Sequence, residues 1–206
     1  MYIEASTARP MQADYSVELG PDDPVLAVPW SSATGNLRFI DLRRSPERLG
    51  EIPEARKLPA LAEFLTALNS HNSVLQTAKC DAWFSQEISE EEAIFGADCK
   101  FGSYVDAVFV TSPARTSFPE HERFAQGLAK LLSRAPELPA ALEVVVRRAH
   151  FEVDKTDVFV EEGFYLTLYV FGYGDEQEDA QRFWAIAMRL VGNAILQLSA
   201  RLLPAG

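Results

Sequence analysis

The residues best suited to chemistry are charged side chains that interrupt runs otherwise patterned as β-strands. Lys79 and Asp81 lie in the run 74–84, Asp106 in 104–111, and Arg147, Arg148 and His150 in 142–151. If the first two runs pair about a midpoint near residue 93, Asp81 falls opposite Asp106. Two carboxylates side by side share a proton, hold a cation or face basic partners. The sharper reading is therefore an acidic site that holds a metal or does acid–base work with Lys79 or an arginine as electrostatic partner, the candidate polar site being Lys79, Asp81, Asp106, Arg148 and His150. The plainer reading is a solvated sheet face crossed by ion pairs, and it is the one expected, since antiparallel sheets commonly leave one face to water. The pairing also depends on register, which a slip would change.

Of the three histidines, His150 stands two positions from Arg148 on the same strand face and is the best placed to join a site. His71 sits in a polar loop that ends a helix. His121 falls in the first turn of another, where the helix dipole disfavours its charged form, and is expected to be packed and neutral. No His-x-x-His or His-Glu-x-x-His spacing links them, and Cys80 and Cys99 match no common zinc pattern, so neither metal nor cofactor is expected. Cys80 lies mid-strand without an evident base and reads as a small buried apolar residue. Serine hydrolase elbows are absent from the sequence. Gly172-Tyr173-Gly174 precedes a helix, as phosphate-binding loops do. Asp175, Glu176, Glu178 and Asp179 follow at once and would repel phosphate, so a tight turn into a capped helix is the better reading. No residue is assigned a catalytic role.

The elements that must carry these residues follow from periodicity. Strands are expected at 15–19, 25–28, 37–42, 74–84, 104–111, 142–151 and 163–171, with 25–28 and 37–42 forming a hairpin. Helices are expected from Pro59, burying Leu61, Phe64, Leu65 and Leu68, from Ser117, burying Phe124, Leu128, Leu131 and Leu132, and after Gly174. Three capping boxes mark helix starts: Ser89 with Glu92, Ser117 with Glu120, and Asp175 with Glu178. The order is strand, strand, helix, three times over. That order predicts an α+β two-layer sandwich: a mostly antiparallel or mixed sheet, helices on one face, and a long C-terminal helix. The chain reads as a single domain, 1–206, with 1–13 a loose N-terminal tail.

Composition narrows function by exclusion. A net charge of −11 with sequence pI ≈ 4.8 disfavours nucleic acid and anionic lipid surfaces. Two cysteines are too few for a disulfide scaffold, and the first ten residues carry neither a basic nor an apolar leader segment, so a cytoplasmic protein is expected. The apolar stretch 183–203 contains Arg189, Asn193, Gln197 and Arg201, which argues against a membrane span. Its residues form two stripes, one with Trp184, Met188, Val191 and Ile195, the other with Phe183, Ile186, Leu190 and Ala194. One sheet face does not cover both, so a homodimer through Trp184, Met188, Val191 and Ile195 is the assembly expected. The function expected is a non-catalytic binding or protein-interaction module. The alternative is a hydrolase-like enzyme or small-ligand-binding protein with a polar, acidic pocket on the sheet.

Overall fold

Residues 11–32, 34–152 and 160–203 are described by the structure, a computed structural model. Among them, six strands form one sheet: β1 (Gln12–Glu18), β2 (Val25–Val28), β3 (Leu75–Ser85), β4 (Cys99–Phe109), β5 (Ala140–Glu152) and β6 (Val160–Gly174). The helices are α1 (Pro53–Lys57), α2 (Pro59–Leu68), α3 (Ser112–Arg115), α4 (Phe118–Leu132) and α5 (Gln177–Leu202), with 3-10 turns at Pro46–Glu51 and Glu92–Phe95. The α+β class with helices layered on one face is as the strand-strand-helix order predicts.

Strand order is β1-β5-β6-β4-β3. The hairpins β3–β4 and β5–β6 are antiparallel and join through an antiparallel β4–β6 pair. β1 and β2 both run parallel to β5 along its outer edge, β1 beside residues 141–147 and β2 beside 148–151. They are one edge strand, broken by the Gly20-Pro21-Asp22-Asp23-Pro24 segment.

Two expectations about the N-terminal region change. Segment 37–42 is not a strand partner of β2; it contributes only an isolated bridge, Ser31 with Arg38. Pro24 and Pro29 bracket β2, and proline cannot donate to a ladder, so the strand stops after four residues and docks on β5 instead. Of the supposed tail, residues 1–10 lie outside the described residues, whereas Met11 is buried and Gln12 and Ala13 already belong to β1.

The main core lies between the sheet and α2, α4 and α5. The predicted apolar faces are the ones buried: Leu61, Phe64, Leu65 and Leu68 on α2, and Phe124, Leu128 and Leu132 on α4, where the fourth residue expected, Leu131, is only half-buried. Helix α5 packs against both neighbours. By length and composition it is apolar enough to cross a membrane; here it is the core helix on the sheet. Trp184, Met188, Val191 and Ile195 are its sheet-facing stripe and are fully buried, so an interface between copies cannot run through those four side chains. The stripe left half-exposed carries Phe183, Ile186 and Leu190.

The Gly172-Tyr173-Gly174 corner is explained by space. Both glycines are still in β6, neither has a positive φ, and a Cβ at Gly172 would collide with Trp184 N and Ala180 O of α5. Glycine lets the helix backbone lie directly on the strand. Of the three capping boxes, Ser89 with Glu92 forms: Glu92 N–H donates to Ser89 Oγ at 3.3 Å and Ser89 N–H to Glu92 Oε2 at 2.8 Å. Helix α5 instead takes Glu176 as N-cap, and neither it nor Ser117 makes a side-chain cap bond.

Candidate functional site: the helix-free face and the edge of β3

Because side chains alternate along a strand, every second residue of the sheet turns away from the helices. On β6 these are Tyr165, Thr167, Tyr169, Phe171 and Tyr173; across the ladder they meet Asp106, Tyr104, Gly102 and Lys100 of β4. On β3 the same face carries Lys79, Asp81 and Trp83.

Part of this face is covered. The chain leaving β2 crosses it as a strap, and Trp30 and Phe39 pack on Leu26, Val28, Ala78, Val108, Ala149, Phe151 and Tyr165 in a second, smaller core. The Trp30 indole N–H donates to Ala78 O at 2.6 Å. Ala78 is the extra residue of a β-bulge between Thr77 and Lys79, so the indole satisfies a carbonyl that the ladder leaves out. At the opposite end the Glu92–Phe95 turn folds over: Phe95 stacks on Tyr173, centroids 4.0 Å apart, and Lys100 and the Tyr173 hydroxyl both bond Glu92. Between strap and turn runs an open trough floored by half-buried Trp83, Tyr104, Tyr169 and Phe171. Gly102 makes the floor continuous, since a Cβ there would press on the Phe171 ring and on Trp83.

Charged groups in the trough are linked. Thr167 Oγ1 donates to Asp106 Oδ1 at 2.7 Å, and Arg147 Nη1 donates to Thr167 Oγ1 at 3.0 Å and to the Tyr169 hydroxyl at 3.2 Å. Arg147 Nε donates to Glu18 Oε2 at 2.7 Å. Burial pushes the Asp106 carboxyl up to about 6, against the Thr167 bond and the charges of Lys79 and Arg147. Burial also opposes the Arg147 charge, but its bonds to Glu18 and Tyr169 outweigh that and raise its pKa. Lys79 is exposed, with its Nζ 5.5 Å from the Trp30 ring centroid and 5.8 Å from that of Tyr104.

Where the strap turns round β3 it leaves a cleft of about 640 Å³. Its walls are the strap at Trp30 and Arg38, the entry to α1 at Glu51 and Glu54, and β3 around Lys79 and Asp81. Glu51 is engaged by Arg48 through two 2.8 Å bonds. Glu54 and Asp81 form no ion pair among the described residues. Cys80 also lines the cleft, but burial, then Glu54, Asp81 and Asp106, push its thiol up to about 12, so no thiolate nucleophile is available near neutrality.

Of the five residues expected to form a site, Lys79, Asp81 and Asp106 share one face, whereas Arg148 and His150 do not join them. By the alternation of β5 they turn to the helix-bearing side, and Arg148 donates to Gly20 O at 3.2 Å. The residue of β5 that does reach the cluster is Arg147. The two carboxylates are not opposite one another either: Asp106 faces Lys79 and Asp81 faces Tyr104. That slip of two residues keeps all three on the same face. Thr167, Tyr169 and Trp30 were not expected. The alternation of Tyr165, Thr167, Tyr169 and Phe171 was the available signal for β6; nothing local marks Trp30, whose role depends on a chain crossing.

His121 is fully buried between Phe109 and Phe164, with Nδ1 at 2.9 Å from Ser117 O and Nε2 lacking a hydrogen-bond partner. Among the described residues no three His, Cys, Asp or Glu side chains are grouped to hold a metal ion. No protein-family model matches this chain, and searches of curated proteins and of solved structures find no match.

Proposed function

We propose that the chain is a non-catalytic binding module that recognises its ligand at the β3 cleft and the aromatic trough beside it. The observation that carries this reading is an uncovered floor of Trp83, Tyr104, Tyr169 and Phe171 on a sheet whose other face is sealed by three helices. Half-buried aromatics offer large contact area at low entropic cost, which suits recognition. The reactive groups nearby are subdued: Cys80 is protonated, and Asp106 is tied to Thr167. The acidic charge argues against nucleic acid partners, and two free thiols fit a cytoplasmic setting.

A fragment screen read by backbone amide NMR tests the reading. Hits are expected to shift Trp30, Lys79, Asp81, Trp83 and Tyr104, and to quench Trp30 and Trp83 fluorescence while sparing buried Trp184. Hits mapping only to the helix layer would refute it.

The hydrolase-like alternative keeps one favouring observation, a carboxyl at Asp106 that titrates near 6 beside the cleft, as a general base should. It requires turnover of an ester or amide substrate that disappears in Asp106→Asn. Absence of any such turnover leaves the binding reading.

A further inference from the structure

β3 is an edge strand: among the described residues its only sheet partner is β4. Its second half, 79–85, is exposed or half-exposed throughout, unlike its first half, where Leu75, Thr77 and Ala78 are buried. An unpaired strand edge presents a row of backbone donors and acceptors that a further strand can complete; in this row the Ala82 N–H donates to Asp81 Oδ1 at 2.8 Å, a contact an added strand displaces. Seven residues at about 3.4 Å each give roughly 24 Å of edge, enough for a peptide of similar length. The 640 Å³ cleft lies at the start of this edge, and Trp83 and Tyr104 stand beside it on the trough side.

Carboxylates flank the edge at both ends. Glu54 and Asp81 mark the cleft end, neither in an ion pair among the described residues. Beyond the other end come Glu87, Glu90 and Glu91, all exposed. Two cations, Lys79 and Arg38, share the cleft end with Glu54 and Asp81, Lys79 lying against the Trp30 and Tyr104 rings, so the stronger acidic excess is at the Glu87–Glu91 end. Glu51 is held chiefly by Arg48, which bonds it twice, with the charge of Arg38 a smaller contribution. The field left at the centre of β3 is acidic, as the Cys80 thiol and Tyr104 hydroxyl register: after burial, Glu54, Asp81 and Asp106 raise the first, and Asp106 and Asp81 the second.

We infer that the edge of β3 receives a basic peptide in extended conformation, which adds to the sheet as a seventh strand and sets its lysines or arginines against Glu54 and Asp81 at one end and Glu87, Glu90 and Glu91 at the other. Main-chain bonds to β3 supply affinity, while alternate side chains reach the Trp83–Tyr104 floor and the cleft. A second copy of this chain is disfavoured as occupant. Antiparallel pairing of two β3 edges would bring the Glu87–Glu91 segment of one against Glu54 of the other, at a net charge of −11 on each. This inference rests on the binding-module reading and specifies its partner.

The test uses the full chain and an acetylated, amidated Lys-Val-Lys-Thr-Lys-Val-Lys peptide, with a Glu-Val-Glu-Thr-Glu-Val-Glu peptide as control. Two further lysine peptides carry N-methyl groups on alternate amides, one set on each edge of the extended peptide. The lysine peptide is expected to bind with amide shifts and slowed hydrogen exchange centred on 79–85. Methylation of one edge should abolish binding and of the other be tolerated. Glu54→Lys with Asp81→Lys, both at exposed or half-exposed positions, should weaken binding at least tenfold while leaving the rest of the amide spectrum unchanged. No binding of the lysine peptide, equal binding of the glutamate peptide, indifference to which edge is methylated, or shifts confined to β1 would each overturn strand addition by a basic partner. The fragment screen is independent of peptide charge and backbone pairing, so hits at Trp30 and Trp83 without peptide binding would leave the module reading standing and remove this one.

Discussion

Thr167 donates its hydroxyl to Asp106 Oδ1 across the β4–β6 pair at 2.7 Å, and the same oxygen accepts from Arg147 Nη1 at 3.0 Å. A side chain of one strand thus fixes the geometry of an acid on the second and a base on a third. It also explains why Asp106 is tolerated in a site where it is only 6% exposed: the hydrogen bond and two cations partly offset the cost of burying its charge.

That offset is incomplete, and pH dependence should reveal it. The carboxyl titrates at about 6 in the fold against 3.8 ordinarily. The folded state therefore binds the proton more tightly, so its contribution to stability is fully present below about 4 and is lost as pH rises through about 6. The gap corresponds to at most roughly 3 kcal/mol. Asp106→Asn removes this slope. Urea unfolding from pH 4 to 7 should show wild type losing stability relative to the asparagine variant across that window; parallel curves would contradict the account.

His121 acts with the opposite sign. Burial lowers its pKa, outweighing the bond to Ser117 O, the nearby Phe164 backbone and the charge of Glu120. The unfolded chain takes up a proton near 6.5 that the folded chain resists, so stability falls as pH drops below about 6.5. His121→Phe keeps an aromatic ring between Phe109 and Phe164 and removes the buried Nε2 without a partner. Wild type should lose stability on acidification from pH 7 to 5 relative to this variant. Combined with Asp106→Asn, the double variant should have the flattest profile of the four proteins.

Gly172→Ala tests the contact between β6 and α5. The added methyl meets helix backbone at Trp184 and Ala180, which cannot rotate away. Overpacking of this kind costs roughly 3 kcal/mol. Gly50→Ala is the control, with no atom within 4 Å of the new Cβ. Thermal unfolding should drop sharply for the first and little for the second. Equal effects would mean that α5 does not sit as close to the strand as Gly172 implies.

These tests bear on what the sequence made legible. Leu61, Phe64, Leu65 and Leu68 declared α2 because a helix repeats its apolar face locally, and Phe124 and Leu128 did the same for α4. Faces of strands were legible too: Lys79, Asp81 and Asp106 share a side because alternation survives a two-residue slip. Register was not: the long connection 86–98 sets Asp81 against Tyr104 rather than Asp106, and a bulge at Ala78, bonded to a tryptophan forty-eight positions earlier, shifts the pairing again from Thr77 on. Arg148 and His150 fall on the other side from that expected because periodicity gives the two faces of a strand without saying which one meets helices. The expectation of a homodimer through Trp184 and Ile195 fails to foresee their burial for a related reason: how much of a two-striped helix a sheet covers is a tertiary quantity.

Trp30→Phe isolates the strap. The phenyl ring can fill most of the space among Phe39, Val108 and Tyr165, but it cannot donate to Ala78 O, the 2.6 Å bond that ties the strap to the bulge. A carbonyl deprived of its partner costs about 1–2 kcal/mol, or a few degrees of Tm for a chain this size. The loss should be local. Amide exchange should quicken at 76–80 and along 31–38, Lys79 should lose part of its ring contact, and the Trp184 environment should stay unchanged because it lies on the far side of the sheet, bonded to Ser103 Oγ at 2.9 Å. Since the cleft exists only while the strap holds its position over β3, ligand affinity at Trp83 and Tyr104 should fall with it. Unchanged exchange at 76–80 would mean that packing by Phe39 alone holds the strap and that the indole bond is incidental to the site.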